Sequence, residues 1–398
     1  MDAAKKRGMC VSAIFFLIFL TGFSLANLWH GRQPLLQELH TFDMPGIQKD
    51  LDDLNTVMQE NILGRYQWLN AYGAVQLALG KHEENAFDIL KDRNGFLYSG
   101  NFWSGFGDDQ RQLAIRTRRL LDAMRAQGTN AGFILCPMRL AENDARYLGL
   151  PYNDHTEDGD EFLRWLRYYG VPYLDLREEL ARSSLPYEER WFRTDHYWTP
   201  SAAFEAYQAT VGWIGRTWGA DLDPGGFYRD SGNYETKLYP GSMLGYYGRD
   251  SGLVFAGGME DYLAVIPQPD GRRYRWESEG EVVSSGDFRT AFLDMKLKDV
   301  KPDELNAGKF YLGEIQNECS LVNEDLEQAP SILIIRDSFA SPVGAFLAQN
   351  CSVVDMLWSK QFSPEEMEEK LHAKKYDYVF VMLSVENLSE KNFSFYVD

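Results

Sequence analysis

Cysteine, histidine and positive charge are all scarce in this chain of 398 residues. Its four cysteines, Cys10, Cys136, Cys319 and Cys351, are too few and too scattered for a disulfide framework, and no C-x-x-C pair offers a zinc site. One bridge is conceivable, Cys319 to Cys351, while Cys136, at the end of "AGFIL", reads as a small buried apolar residue. Lysine and arginine number 40 against 59 acids, a net charge of −19, and no basic stripe or stacking-aromatic module offsets it. Affinity for nucleic acid comes largely from a positive face matched to phosphates, so no nucleic-acid partner is expected. Repeats and low-complexity tracts are missing, and nothing calls for a cofactor or a metal; the acidic run "NDHTEDGDE" reads as a solvated loop.

Apolar residues are plentiful, at 44%, enough for a large core in one big or two modest domains. The first thirty residues differ from the rest. Lys5, Lys6 and Arg7 precede an uncharged stretch from Gly8 to His30, long enough to cross a hydrocarbon layer of about 30 Å as a helix. The stretch ends in "NLWH" with no small-x-small cleavage site, which favours an uncleaved anchor over 1–30 rather than a signal peptide. The positive flank then leaves residues from about 31 onward outside the cytoplasm. From 31 to 85 apolar residues recur at three and four, predicting an amphipathic helical stalk.

Beyond it, "FDILKDRNGFLYS" has the turn chemistry of a hairpin. Residues 110–185 alternate between helical period ("RQLAIRTRRLLDAMRAQG", "GDEFLRWLRYYG") and buried-strand runs ("NAGFILCP", "VPYLDL"), and a second such block, opened by "SILIIRDSF" and closed by "YDYVFVMLS", ends the chain. That alternation predicts an α/β fold, a parallel sheet flanked by helices. Residues 225–320, richer in Gly, Tyr and Asp and without clean helical period, read as a β-rich insertion with long loops.

In such sheets ligands collect at the carboxyl ends of strands. "SILII" followed by "RDSF" puts Ser338 there, on a turn entering a helix whose backbone N–H groups can stabilise an oxyanion. The same Arg-Asp-Ser triplet recurs in "GRDSG" at 248–252, but no apolar strand leads into Ser251 and no helical pattern follows it. A serine nucleophile needs a base oriented by an acid. Of six histidines, His30 borders the membrane and His40, His82, His155 and His372 have the sequence context of solvated side chains; only His196 adjoins a carboxylate, Asp195. Thr199-Pro200 is an N-cap followed by proline at the first helical position, so Asp195 to Trp198 form the loop delivering the chain to a helix.

"FRTDHYWTPSAAF" and "ILIIRDSFASPVGAFLA" together resemble the SGNH-hydrolase-like proteins of the DHHW family, related to the AlgX and AlgJ O-acetylation proteins. "DILKDRNGFLYS", "AGFILCPMRLAEND", the Gly-rich segment from Gly241 and "YLGEIQN" extend the likeness, in order, over roughly 85–398. The resemblance implies an SGNH-like domain over 86–398 acting on an extracytoplasmic glycan as O-acetyltransferase or acetylesterase, beside a membrane-bound O-acyltransferase. By position, Ser338 matches the nucleophile and Asp195 the orienting acid, with Tyr197, Trp198, Arg336 and Asn317 (or Gln316) as substrate contacts. Two departures stand out. The family's Asp-His-His-Trp reads Asp195-His196-Tyr197-Trp198 here, with tyrosine in the seat of the base, and Arg336 replaces the glycine before Asp-Ser. A phenol with a pKa near 10 is a poor base at neutral pH. Either His196 has turned into the role, or the dyad is broken and the protein is a glycan-binding or accessory member.

Overall fold

The computed structural model describes residues 3–40, 47–100, 108–139, 155–293, 309–313 and 316–397; the side chains of 3–11, including Cys10 and the Lys5–Arg7 bases, lie outside that description. Two compact units are present, residues 1–75 and 76–398. The first is helical: α1 (Ala3–His30), α2 (Arg32–His40), α3 (Ile47–Glu60) and α4 (Arg65–Ala78). Within α1, Ser12–His30 has a mean hydropathy of 1.8 and is long and apolar enough to cross a membrane. Trp68 sets its edge against Phe23, and the Leu63 N–H donates to Asn27 Oδ1. Helix stops at Ala78, short of the expected 85, because Gly80 takes φ +70, the left-handed geometry that ends helices.

The second unit opens with a small antiparallel sheet of β1 (Glu83–Glu84), β2 (Ile89–Lys91) and β3 (Leu97–Ser99). The predicted hairpin is β2–β3, its turn closed by Asp92 Oδ1 accepting from the Asn94 and Phe96 N–H groups at 2.9 and 2.8 Å. Next come α5 (Gln110–Ala126), β4 (Asn130–Cys136), α6 (Thr156–Tyr168), β5 (Tyr173–Asp175), α7 (Leu176–Ala181), α8 (Tyr187–Arg190) and α9 (Pro200–Trp218). The central part holds β6 (Tyr234–Met243), α10 (Tyr246–Ala256), β7 (Glu260–Pro267), β8 (Tyr274–Ser278), β9 (Glu281–Gly286) and α11 (Phe288–Phe292). Last are β10 (Glu318–Asn323), β11 (Ser331–Arg336), α12 (Ala340–Leu347), β12 (Val353–Leu357), α13 (Pro364–Ala373) and β13 (Tyr378–Ser384).

An eight-stranded sheet in the order β5-β4-β13-β11-β12-β10-β8-β9 organises the unit. Its first five strands are parallel, and β4, β11 and β13 among them are the continuous apolar runs that burial on both faces demands. Alternate residues feed two cores. Ile332 and Ile334 of β11 face α9 and α12, whereas Leu333 and Ile335 face α5, α6 and α13. Helix α12 approaches β12 closely because residue 344 is glycine; a Cβ there would lie 2.8 Å from Met356 Sδ.

The insertion is no separate domain, and it is less purely β than its sequence suggests. Strands β8, β9 and β10 continue the main sheet in antiparallel fashion, β6 and β7 form their own ribbon, and two helices occur. Ser251 sits inside one of them, α10, contrary to expectation; Gly248 and Gly252, the latter at φ 80 and ψ 160, break the apolar period that would have marked it. Cys136, Cys319 and Cys351 are free and buried. The conceivable Cys319–Cys351 bridge does not form: Cys319 pairs with Met356 of β12, five positions past Cys351, which precedes that strand.

Candidate active site

Ser338 occupies the turn between β11 and α12, half-buried, as its strand-turn-helix sequence predicts. The residue before it fixes the turn. Asp337, buried at 2% exposure, accepts from the Phe339 N–H (3.0 Å), the Ser384 N–H (2.6 Å) and the Asn387 side chain (2.9 Å), tying the turn to the end of β13.

The second component is the 191–199 loop. Trp191 and Trp198 bridge its ends, and the Phe192 N–H donates to the Tyr197 carbonyl at 3.2 Å, so the segment closes on itself and extended-strand parity does not apply. Glu260 at the start of β7 clamps its bend, accepting from the N–H groups of Arg193 (2.6 Å) and Thr194 (2.8 Å) and from the Thr194 hydroxyl. Arg139, just past β4, donates to the carbonyls of Phe192 and Asp195. The N-terminus of α10 lies against the loop at van der Waals limits: a Cβ at Gly245 would stand 2.4 Å from Asp195 Cβ, and one at Gly248 3.0 Å from Thr194 Cβ.

Asp195 is fully buried, yet its carboxyl is held below its ordinary pKa. Burial alone would raise it, but His196 Nδ1 at 3.0 Å and the N–H groups of Tyr246 (2.8 Å) and Tyr197 (3.2 Å) outweigh that cost. His196 responds in kind. Burial would lower its pKa, and the Asp195 carboxylate instead raises it.

Acid and imidazole are therefore paired, and Ser338 comes to the same loop, but its partner there is tyrosine. The Tyr197 phenol lines the same recess as Ser338, and burial pushes its pKa far above the ordinary 10.0, the serine beside it pulling weakly the other way. Ser338 lines a recess of about 20 Å³ with Tyr197, Trp198, Phe192, Tyr262 and Tyr311. His196 lines a different one, of about 10 Å³, with Arg139, Glu386, Tyr247 and Tyr98. The Phe339 ring stands by both, 5.1 Å from the Tyr197 ring and 6.1 Å from that of His196.

Two expected substrate contacts lie elsewhere. Arg336 is buried at 1% exposure and turned inward, donating to Ser341 Oγ and the Gln316 carbonyl, each at 3.1 Å. Asn317 is exposed at the start of β10, where its carbonyl accepts from the Trp358 N–H. The Ser251 hydroxyl is buried and donates to the Tyr247 carbonyl at 2.7 Å. His155, expected to be solvated, is instead 2% exposed at the start of α6, and burial lowers its pKa to about 4. Glu386, just past β13, faces His196, and burial raises its pKa against that neighbour's pull. Glu386 and Arg139 each follow an apolar parallel strand, the signal that singled out Ser338. Among the described residues no three His, Cys, Asp or Glu side chains converge as a metal site.

A parallel sheet with a serine on the turn after β11, and a buried acid paired with a partly exposed histidine ahead of α9, is the arrangement of an SGNH hydrolase-like domain. The family described as the SGNH hydrolase-like domain of acetyltransferase AlgX matches residues 106–269, which hold the Asp195 loop and its Glu260 clamp and end before Ser338. PatB1 of Bacillus cereus is 17% identical with a TM-score of 0.57, over 77% of this chain and 98% of that one. The same protein solved with a sulfonyl adduct gives 16% and 0.57, over 77% and 98%. A DHHW family protein from Eubacterium siraeum DSM 15702 is 13% identical with a TM-score of 0.55, over 77% of this chain and 93% of that one. No curated protein sequence matches the chain. Over residues 106–269 the chain thus matches the AlgX SGNH hydrolase-like domain, and its fold is similar to those of PatB1 and the DHHW family protein.

Proposed function

We propose that this chain serves an extracytoplasmic polysaccharide O-acetylation system, held to the membrane by α1 with the domain outside, beside a membrane-bound O-acyltransferase. Ser338 is the point at which an acetyl group, or the glycan bearing it, is met. The observation that carries the reading is the recess that Ser338 shares with Tyr197 and Trp198, where the turn after β11 meets the Asp195–Trp198 loop. The same neighbour, Tyr197, favours binding over turnover. A serine attacks once a base has taken its proton, and a phenol whose pKa lies far above 10 keeps its own at neutral pH. The recess of about 20 Å³ beside Ser338 has room for about one water, too little for an acetyl ester without opening. A catalytically impaired, glycan-engaging member of the system fits these facts.

A second reading, transfer or hydrolysis of acetyl groups by Ser338, draws on the intact Asp195–His196 pair at 3.0 Å. In that reading His196, which lines a recess other than the serine's, takes the serine's proton. Labelling by a fluorophosphonate, followed by acetate release from an O-acetylated glycan, separates the two. Slow labelling that Ser338→Ala abolishes and His196→Ala leaves unchanged, with no acetate released, is expected. Turnover that disappears in His196→Ala supports the second reading, and no labelling together with no glycan binding overturns both.

A further inference from the structure

A hollow of about 330 Å³, far roomier than the recess beside Ser338, lies on the α13 face of the sheet between that helix and the β8–β9 turn. Strand register builds its floor. Ser320 stands directly opposite Asp355 on one side and Glu277 on the other, one row across β8, β10 and β12. Direct neighbours in such a row are about 5 Å apart at Cβ, so the three polar groups present themselves together. Cys319 and Leu321 belong to the core on the opposite face, so the pleat turns Ser320 and Glu318 toward the hollow.

Asp355 is only 9% exposed, and its two oxygens differ. Oδ2 accepts from Lys374 Nζ at 2.9 Å and from the Tyr376 hydroxyl at 2.7 Å; Oδ1, also buried, accepts from no protein group. Lys370 is engaged by Glu318, and Glu277 takes Arg275 Nε at 2.6 Å. Both lysines at the hollow thus already face acids, while Glu279 on the β8–β9 turn adds a further exposed carboxylate. The surplus is negative, which disfavours anions. A serine separates the floor carboxylates, an arrangement that spans a ligand rather than closing on a single metal ion.

We propose that this hollow binds a small organic ammonium of about monosaccharide size, its N–H groups on Asp355 and its hydroxyls on Ser320 and Glu277. Its volume falls in the range of small-molecule sites, a charged donor is what a buried carboxylate oxygen with no protein partner attracts most, and the site is independent of the reading of Ser338.

Titration calorimetry of the full chain in detergent, with glucosamine, glucose and N-acetylglucosamine as probes, tests the assignment. Saturable binding of glucosamine is expected, with glucose and N-acetylglucosamine, which lack the ammonium, at least about tenfold weaker, and with a loss of about tenfold or more in Asp355→Asn. Should Asp355→Asn fail to fold, Glu277→Gln and Ser320→Ala decide, each weakening glucosamine severalfold. No saturable glucosamine binding, equal binding of glucose, or binding indifferent to these variants overturns the proposal.

Discussion

Replacing Tyr197 with histidine puts an imidazole where the phenol now meets Ser338, and the structure sets what it can do. Tyr197 is 8% exposed and packs on Phe339 and His196, so the smaller ring leaves a partial void at a stability cost of about 1–3 kcal/mol. An imidazole Nε2 sits roughly 2 Å nearer its own Cα than a phenol oxygen does, so it reaches Ser338 through one water rather than directly, which remains within a base's range. The vacated volume joins the recess of about 20 Å³, which already has space for that water. A well-placed base contributes about 10²–10⁴-fold; a water-bridged one should fall near the lower end, so Tyr197→His should raise acetylesterase activity about 10–100-fold over the wild type. Hydrolysis of 4-nitrophenyl acetate, with Ser338→Ala as background, is the assay. The gain should grow with pH through the imidazole range near 6.5, whereas the wild type, whose phenol stays protonated, should show no such rise. A folded Tyr197→His variant no faster than Ser338→Ala would refute the claim that the missing base limits this centre.

Gly245→Ala should destabilise the domain by about 2 kcal/mol or more, because its Cβ would meet Thr194 backbone atoms at 2.6 Å that have no way to yield; a thermal melt lowered by several degrees checks it. His155 stays neutral in the fold down to about pH 4, the partly exposed Asp158 carboxylate at 3.5 Å not offsetting burial, while the unfolded chain takes a proton near 6.5. Its contribution is therefore full above pH 6.5 and is lost as pH falls toward 4, at most about 3 kcal/mol, so urea titrations should show His155→Gln losing less stability than the wild type over that window. The Asp195–His196 pair has the complementary signature. The lowered acid stabilises above about pH 4 and the raised imidazole below about 6.5, so Asp195→Asn should cost most between those values in the same titrations. Thiol reagents should leave Cys136, Cys319 and Cys351 untouched until the domain unfolds, which mass spectrometry of native and denatured samples would register.

What the sequence disclosed and what it withheld divide along one physical line. Parallel strands buried on both faces must be continuous apolar runs, so β4, β11, β12 and β13 stood out, and with them Ser338 at a strand's carboxyl end. The cap at Thr199, which accepts from the Ala202 N–H at 3.3 Å, and Pro200 behind it likewise act through neighbours a few positions away. Contacts made across the chain carried no such mark. Glu260 lies 66 positions from the Thr194 it clamps, and Asp337 lies 47 from Ser384; each reads in sequence as an ordinary surface acid. The α10 helix escaped for a related reason: the glycines that let it press on the Asp195 loop also erase its apolar period. Tyr197 is the instructive case, since its substitution was visible but its consequence was not. Adjacent residues in a closed loop need not follow strand parity, and here one of them, His196, keeps the acid while the other lines the serine's recess. Acid and imidazole are paired in this loop while a phenol stands at the serine's recess, and that tyrosine in the seat of the base is what sets this site apart from a working triad.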